Sequence, residues 1–167
     1  MLPPYNFMGV LCINSMIYML AKLKKNYFNY GKHILFILKE AYGGEDDWSL
    51  SEEVKKNAPW SAVWNRIVEW TYGISLTTVN TIARYEPSKI SLEKPNPWLN
   101  QIAVLNIKKS SGKSQSYYGE IAAYADYDSA EIIRQIEIID PDIIVCGATF
   151  GDVNTIMGNP CKKRGMR

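Results

Sequence analysis

Three short apolar runs constrain this chain more than any other feature: ILFIL from Ile34 to Leu38, QIAVLNI from Gln101 to Ile107, and IIVC from Ile143 to Cys146. Each is too short for a packed helix, is rich in β-branched residues and lacks alternation, the pattern of a strand buried on both faces. Helical patterns lie between them. Strands alternating with helices predict an α/β protein, a three-layer α/β/α sandwich around a central, mostly parallel sheet. Right-handed crossovers would then gather the carboxyl ends of the strands along one rim.

The first connection holds PWSAVWNRIVEWTY, with Trp60, Val63, Trp64, Ile67, Val68 and Thr71 at helical spacing and Pro59 placed to start the helix. Its aromatic face suits a core better than a binding site. Residues Glu86 to Pro97 carry three prolines and form a connecting loop. After a lysine-rich loop and a tyrosine-rich stretch, Ile132, Ile133, Ile136 and Ile139 mark a second helix, with Asp128 or Ser129 as its N-cap and Pro141 as its stop.

Ahead of the first strand, Phe7 to Leu23 is apolar but shorter than a bilayer span, is interrupted by Asn14 and Ser15, and has no basic residue before it. A helix packed on the domain is expected there, with Lys22, Lys24 and Lys25 at its solvated end. The organisation expected is thus an N-terminal helical segment over 1–31, an α/β domain over 32–157, and an irregular basic tail over 158–167.

With 167 residues, 47% of them hydrophobic and 22% charged, the chain can bury one core. A formal net charge of +2 does not argue for nucleic acid by itself, so any such reading rests on where the lysines sit. Cys12, Cys146 and Cys161 are odd in number and widely spaced, and His33 is the only histidine. That pattern fits reduced thiols in a cytoplasmic protein, and neither a metal nor another cofactor is expected. A monomer that does not enter the membrane is expected.

Ligands of open α/β sheets bind beyond the carboxyl ends of the strands, which brings together KEAYGG, NIKKSSGKS and GATFGD. They supply the amide of Asn106, the carboxylate of Glu40, the cations of Lys108, Lys109 and Lys113, and several glycines. Ser-Gly-Lys-Ser at 111–114 matches a nucleotide-binding phosphate loop only in part. Where that loop needs its first glycine stands Ile107, and Asp140 lies between a helix and a strand, the wrong place for a metal-binding partner.

Taken in order, ILFILKEAYG, IAVLNIKKSSGKS and IEIIDPDIIVCGAT resemble the first motif, second strand and third strand of the uracil-DNA glycosylase superfamily, over roughly Lys32 to Met157. The resemblance implies that family's sandwich fold, DNA as partner, and hydrolysis of the N-glycosidic bond of a flipped base. The family's first motif often reads Gly-Glu-Ala-Pro-Gly or Gly-Gln-Asp-Pro-Tyr, and its loop positions the attacking water. Here Glu40 and Gly43 match the first version, Lys39 and Tyr42 depart from it, and Ala41 stands where the second version has its aspartate. Glu40 is therefore the candidate for orienting water, with Ala41, Tyr42 and Gly43 around the substrate.

Asn106 matches the asparagine that reads the flipped base. A carboxamide presents a donor and an acceptor side by side, which complements the O4 and N3–H edge of uracil. The other reading of Asn106 is a buried asparagine capping loose backbone groups. Lys108, Lys109, Ser111, Lys113 and Ser114 look like a loop gripping a DNA backbone, with Tyr117 and Tyr118 alongside. Alternatively they form a solvated surface loop. Among the tryptophans, Trp48 and Trp98 are expected near the mouth of the site.

The family's last motif, a His-Pro pair after a fourth strand, has no counterpart before Arg167. The resemblance thus implies either a truncated member, the preferred reading, or one in which the N-terminal helix and the tail patch the gap. Losing a donor aimed at the departing base costs about 2.7–4 kcal/mol, so weak activity or none is expected of this chain alone. Three functions follow as expectations: a glycosylase-like hydrolase, a binding module of the same fold for a nucleic-acid end or a free nucleobase, and, least supported, a phosphate-loop protein.

Overall fold

The computed structural model describes residues 31–42, 62–91, 96–112 and 115–158. The expected N-terminal segment falls outside them but for residue 31, as does the tail beyond residue 158.

The first and third predicted strands appear at their predicted bounds: β1 is Ile34–Leu38 and β5 is Ile143–Cys146. Ile102–Asn106 forms β3, one residue shorter at each end than the apolar run. The sheet has the order β3, β1, β5, and both pairings are parallel. Leu38 lies opposite Asn106 and Ile37 opposite Cys146, so the three carboxyl ends share one rim. A second, two-stranded parallel ladder joins β2 (Ala41–Tyr42) to β4 (Ser111–Gly112) just beyond it.

Among the described residues, one helix covers one face and three cover the other. Alternate residues of β1 and β3 divide between two clusters, as strand geometry requires. Ile34, Phe36 and Ile102 meet Ile67 and Val68 of α1 (Ala62–Leu76), together with Ile90 and Leu99. Leu35, Ile37, Ala103, Leu105 and Ile107 meet α2 (Tyr118–Tyr127), α3 (Ser129–Ile139) and α4 (Phe150–Ile156). Phe36 is 1% exposed, and burying such a side chain stabilises the fold by about 1.5–3 kcal/mol.

α1 runs past its expected end at Tyr72 to Leu76. Its buried face is Ile67, Val68 and Thr71; Trp64 packs at the edge of the core and Trp70 is exposed. The expected aromatic face thus lies against the core in part, through Trp64 and Tyr72, while Trp70 faces solvent and Trp60 lies outside the described residues. Lys32 caps its last turn, donating to the Ile74 carbonyl at 2.6 Å and also to that of Thr77. A cation there complements the negative end of the helix dipole.

α2 occupies the tyrosine-rich stretch, and α4 follows the third strand; neither was expected as a helix. The Glu86 to Pro97 loop holds a short 3-10 turn at Pro87–Lys89, and a second such turn, Pro97–Gln101, leads into β3. α3 ends at Asp140, whose left-handed backbone (φ 47) lets its N–H bond the Ile136 carbonyl.

Candidate functional site

Parallel pairing continues past the ends of β1 and β3. Ile107 N–H donates to the Leu38 carbonyl and Lys108 N–H to that of Lys39, both at 2.9 Å. The β2–β4 ladder follows, with Ala41 opposite Ser111 and Tyr42 opposite Gly112. The loop after the first strand and the lysine loop are thus zipped together, bringing Glu40, Ala41, Tyr42, Asn106, Lys108 and Ser111 into one region of the rim. Gly43, Lys113 and Ser114 lie outside the described residues.

Backbone pairing sets Lys108 beside Glu40. The Lys108 Nζ stands 3.0 Å from Glu40 Oε2 and 2.8 Å from Glu120 Oε1, in the first turn of α2. It also lies 5.7 Å from the centre of the Tyr124 ring. The side chains of Lys108 and Glu40 are only 8% and 5% exposed, and that of Glu120 is 43% exposed. A buried charge needs a partner this close to be tolerated.

Burial alone would raise the Glu40 pKa. The Ser116 hydrogen bond, then the hydrogen bond and charge of Lys108, with the charge of Lys39, bring it net below its ordinary 4.5. Glu40 is therefore a carboxylate at neutral pH. The Glu120 hydrogen bond, opposed by burial and reinforced by Glu40, raises Lys108 above its ordinary 10.5. Gly112 lies against this pair: a Cβ there would come within 2.4 Å of Glu40 Cδ and Cγ. Only glycine lets β4 pass so closely.

Lys108 is accordingly buried, contrary to both sequence expectations for the loop, a DNA-gripping surface and a solvated one. Lys109 also turns inward. Its Nζ donates to the Asn106 carbonyl at 2.5 Å and to Gln135 Oε1 at 2.9 Å, and Gln135 in turn bonds Glu131. The physical reason is local. The ladder holds the backbone of Lys108 against β1, and α2 and α3 bring acceptors over the loop.

Asn106 ends β3, half-buried and opposite Leu38. Its Oδ1 is enclosed and accepts no hydrogen bond, so it caps no backbone N–H. Leaving such an acceptor unsatisfied costs about 1–3 kcal/mol. One other described side-chain atom shares this condition, Oδ2 of Asp152 in the first turn of α4. Nothing in the sequence pattern singled Asp152 out, because α4 itself was not foreseen.

On the third segment, Gly147 N–H and the Thr149 hydroxyl both donate to the Ile37 carbonyl, at 2.8 and 2.7 Å. Between them Ala148 takes a left-handed backbone (φ 59), a conformation costing about 1–2 kcal/mol for a residue with a Cβ. Strained backbone of this kind clusters at binding sites.

Trp98 is not near the rim. It precedes β3, at the opposite edge of the sheet, and packs edge-on against Tyr72 with ring centres 5.4 Å apart. Trp48 lies outside the described residues. His33 is likewise at the far edge, where its carbonyl receives Asp142 and Ile143 N–H.

Among the described residues, no group of three or more His, Cys, Asp or Glu side chains is placed to hold a metal, and no helix is long and apolar enough to cross a membrane. Compared with family models, curated proteins and solved structures, the chain matches none.

Proposed function

We propose that this chain is a uracil-DNA glycosylase-like protein that binds an extruded uracil, or a related base, at the carboxyl rim of its sheet. The observation that carries the reading is the unpartnered Oδ1 of Asn106 beside the loop of Glu40. Uracil N3–H would donate to that oxygen, and O4 would accept from the amide nitrogen. An acceptor kept without a donor costs stability, and a ligand N–H recovers it.

In the hydrolytic step, the water oxygen bonds to C1′ of the sugar as the C1′–N1 bond breaks; uracil leaves with the bonding pair as the anion, and the water's proton passes to the Glu40 carboxylate and on to solvent. An ionised Glu40 would orient the water and offset positive charge developing on the sugar. Incubation of the full chain with single-stranded DNA carrying one uracil tests this: slow accumulation of abasic product is expected, about 100- to 1,000-fold below the rate of a site with a donor on the departing base, and Asn106→Ala should abolish it. An oligonucleotide left intact, together with no preferential binding of the uracil strand, would refute the reading.

A second reading, recognition without hydrolysis, is favoured by the setting of Glu40. Its side chain is 5% exposed and already engaged by Lys108 and Ser116, which leaves it little freedom to hold water. This reading expects salt-sensitive binding of the uracil strand, lost in Asn106→Ala, with no abasic product. Base release that depends on Glu40 would exclude it.

A further inference from the structure

A cavity of about 600 Å³ opens between the last turns of α1, the segment that follows them, and β5, an edge strand among the described residues. Its walls include Trp70, Tyr72 and Ile74 of α1, Ile90, and Ile143 and Val145 of β5. Clefts of roughly 300–1,000 Å³ with apolar and aromatic walls and a few polar groups are the kind that enclose small molecules. The uracil reading makes no use of this one.

α1 places Gly73 in this wall, inside the helix, where glycine costs about 1 kcal/mol relative to alanine. Neither backbone nor packing requires it. Its φ is not positive, and beyond the helix's own backbone a Cβ there would meet no atom within 4 Å. What the glycine leaves is open volume, bordered by the exposed apolar side chains of Trp70, Val79 and Tyr85. Exposed apolar surface gathered around a hollow marks a place where something apolar binds.

The charges around the cavity are unequally matched. Both lining carboxylates have their own cation: Glu69 is held by Arg66 at 2.6 Å and accepts from the Tyr85 hydroxyl, and Glu86 is held by Lys89 at 2.8 Å. Of the two lining cations, Lys32 is taken up by the carbonyls that end α1. Arg84 has no hydrogen-bond or ion-pair partner among the described residues. A guanidinium offers a planar fork of donors that fits a carboxylate. We propose that this cavity binds a small carboxylic acid with an elongated apolar body, the body against Trp70, Tyr72, Ile90 and Val145 and the carboxylate at Arg84.

Titration calorimetry of the full-length chain with decanoate, and with decan-1-ol as its uncharged counterpart, tests this. Saturable binding of decanoate at one site is expected, with decan-1-ol weaker by about tenfold, the worth of one charge-assisted contact. Arg84→Gln should bring decanoate down to the affinity of decan-1-ol, and Gly73→Leu, which fills the hollow, should abolish binding of both. Absence of saturable decanoate binding, decan-1-ol bound as tightly as decanoate, or decanoate binding that survives either substitution would overturn the proposal. Residue 84 is exposed and a side chain at residue 73 enters open space, so both variants are expected to keep the circular dichroism of the parent. The comparison of the two ligands in the parent chain decides the role of charge without any variant.

Discussion

Lys108 and Glu40, 68 positions apart in sequence, meet at 3.0 Å beneath the strand that carries Gly112. This contact ties the ends of β1 and β3 together, and Glu120 extends it to α2. Removing one partner leaves a buried charge uncompensated. Lys108→Met is therefore expected to destabilise the chain by about 3–5 kcal/mol in urea unfolding, while Lys108→Met with Glu40→Leu recovers most of the loss. Equal losses in the single and double variants would contradict the assignment of the pair.

The same pair predicts a pH response of definite sign. Glu40 has a folded pKa below its ordinary 4.5, so its stabilising contribution is present above 4.5 and disappears as pH falls through the folded value. Lys108, raised above 10.5, contributes fully below that value and loses its contribution as pH rises through its folded pKa. Burial raises the pKa of Asp128, partly offset by Lys109, so this residue works in the opposite direction to Glu40 in acid. Stability titrations should show a shallower acid limb in Glu40→Gln and a steeper one in Asp128→Asn. An acid limb unchanged by Glu40→Gln would contradict this.

Gly112 offers a test of packing. Its substitution by alanine places a methyl group 2.4 Å from Glu40 Cδ, which forces the carboxylate off Lys108. A cost of about 1–3 kcal/mol is expected for Gly112→Ala in the parent chain. In a Glu40→Ala background the cost should shrink, because the obstructing atoms are gone. Strict additivity of the two substitutions would show that they do not meet.

Asn106 separates function from stability. Replacing it with leucine removes an enclosed acceptor that has no partner, so the melting temperature should hold or rise, equivalent to a gain of about 1 kcal/mol. Binding of a uracil-containing strand should be lost in the same variant. A marked fall in stability would assign Asn106 a structural role.

The sheet was legible because nothing competes with a run such as Ile34 to Leu38: five apolar residues between polar ones have few other ways to be buried. Asn106 and Glu40 were visible for a related reason, standing where those runs end. Lys108 is legible in the sequence as a residue of the rim but not as a buried one. NIKKSSGKS has the composition of an exposed loop, and its burial follows from pairing with Lys39 and from the carboxylate of Glu120, neither encoded in local pattern. α2 was missed because it buries little more than Ile121 and Ala125, too sparse an apolar stripe among tyrosines. Composition alone suggests Trp98 for the mouth, as an aromatic residue in a loop; chain order excludes it, because a turn that leads into a strand of a parallel sheet stands at the end remote from the carboxyl rim.

The short ladder between Ala41–Tyr42 and Ser111–Gly112 has a mechanical consequence. Two segments that would otherwise fluctuate separately must lift as a single flap, since neither can peel away without breaking the bonds it shares with the other. Amide protons on both sides would then exchange with solvent in step, and a molecule admitted beneath one segment displaces both.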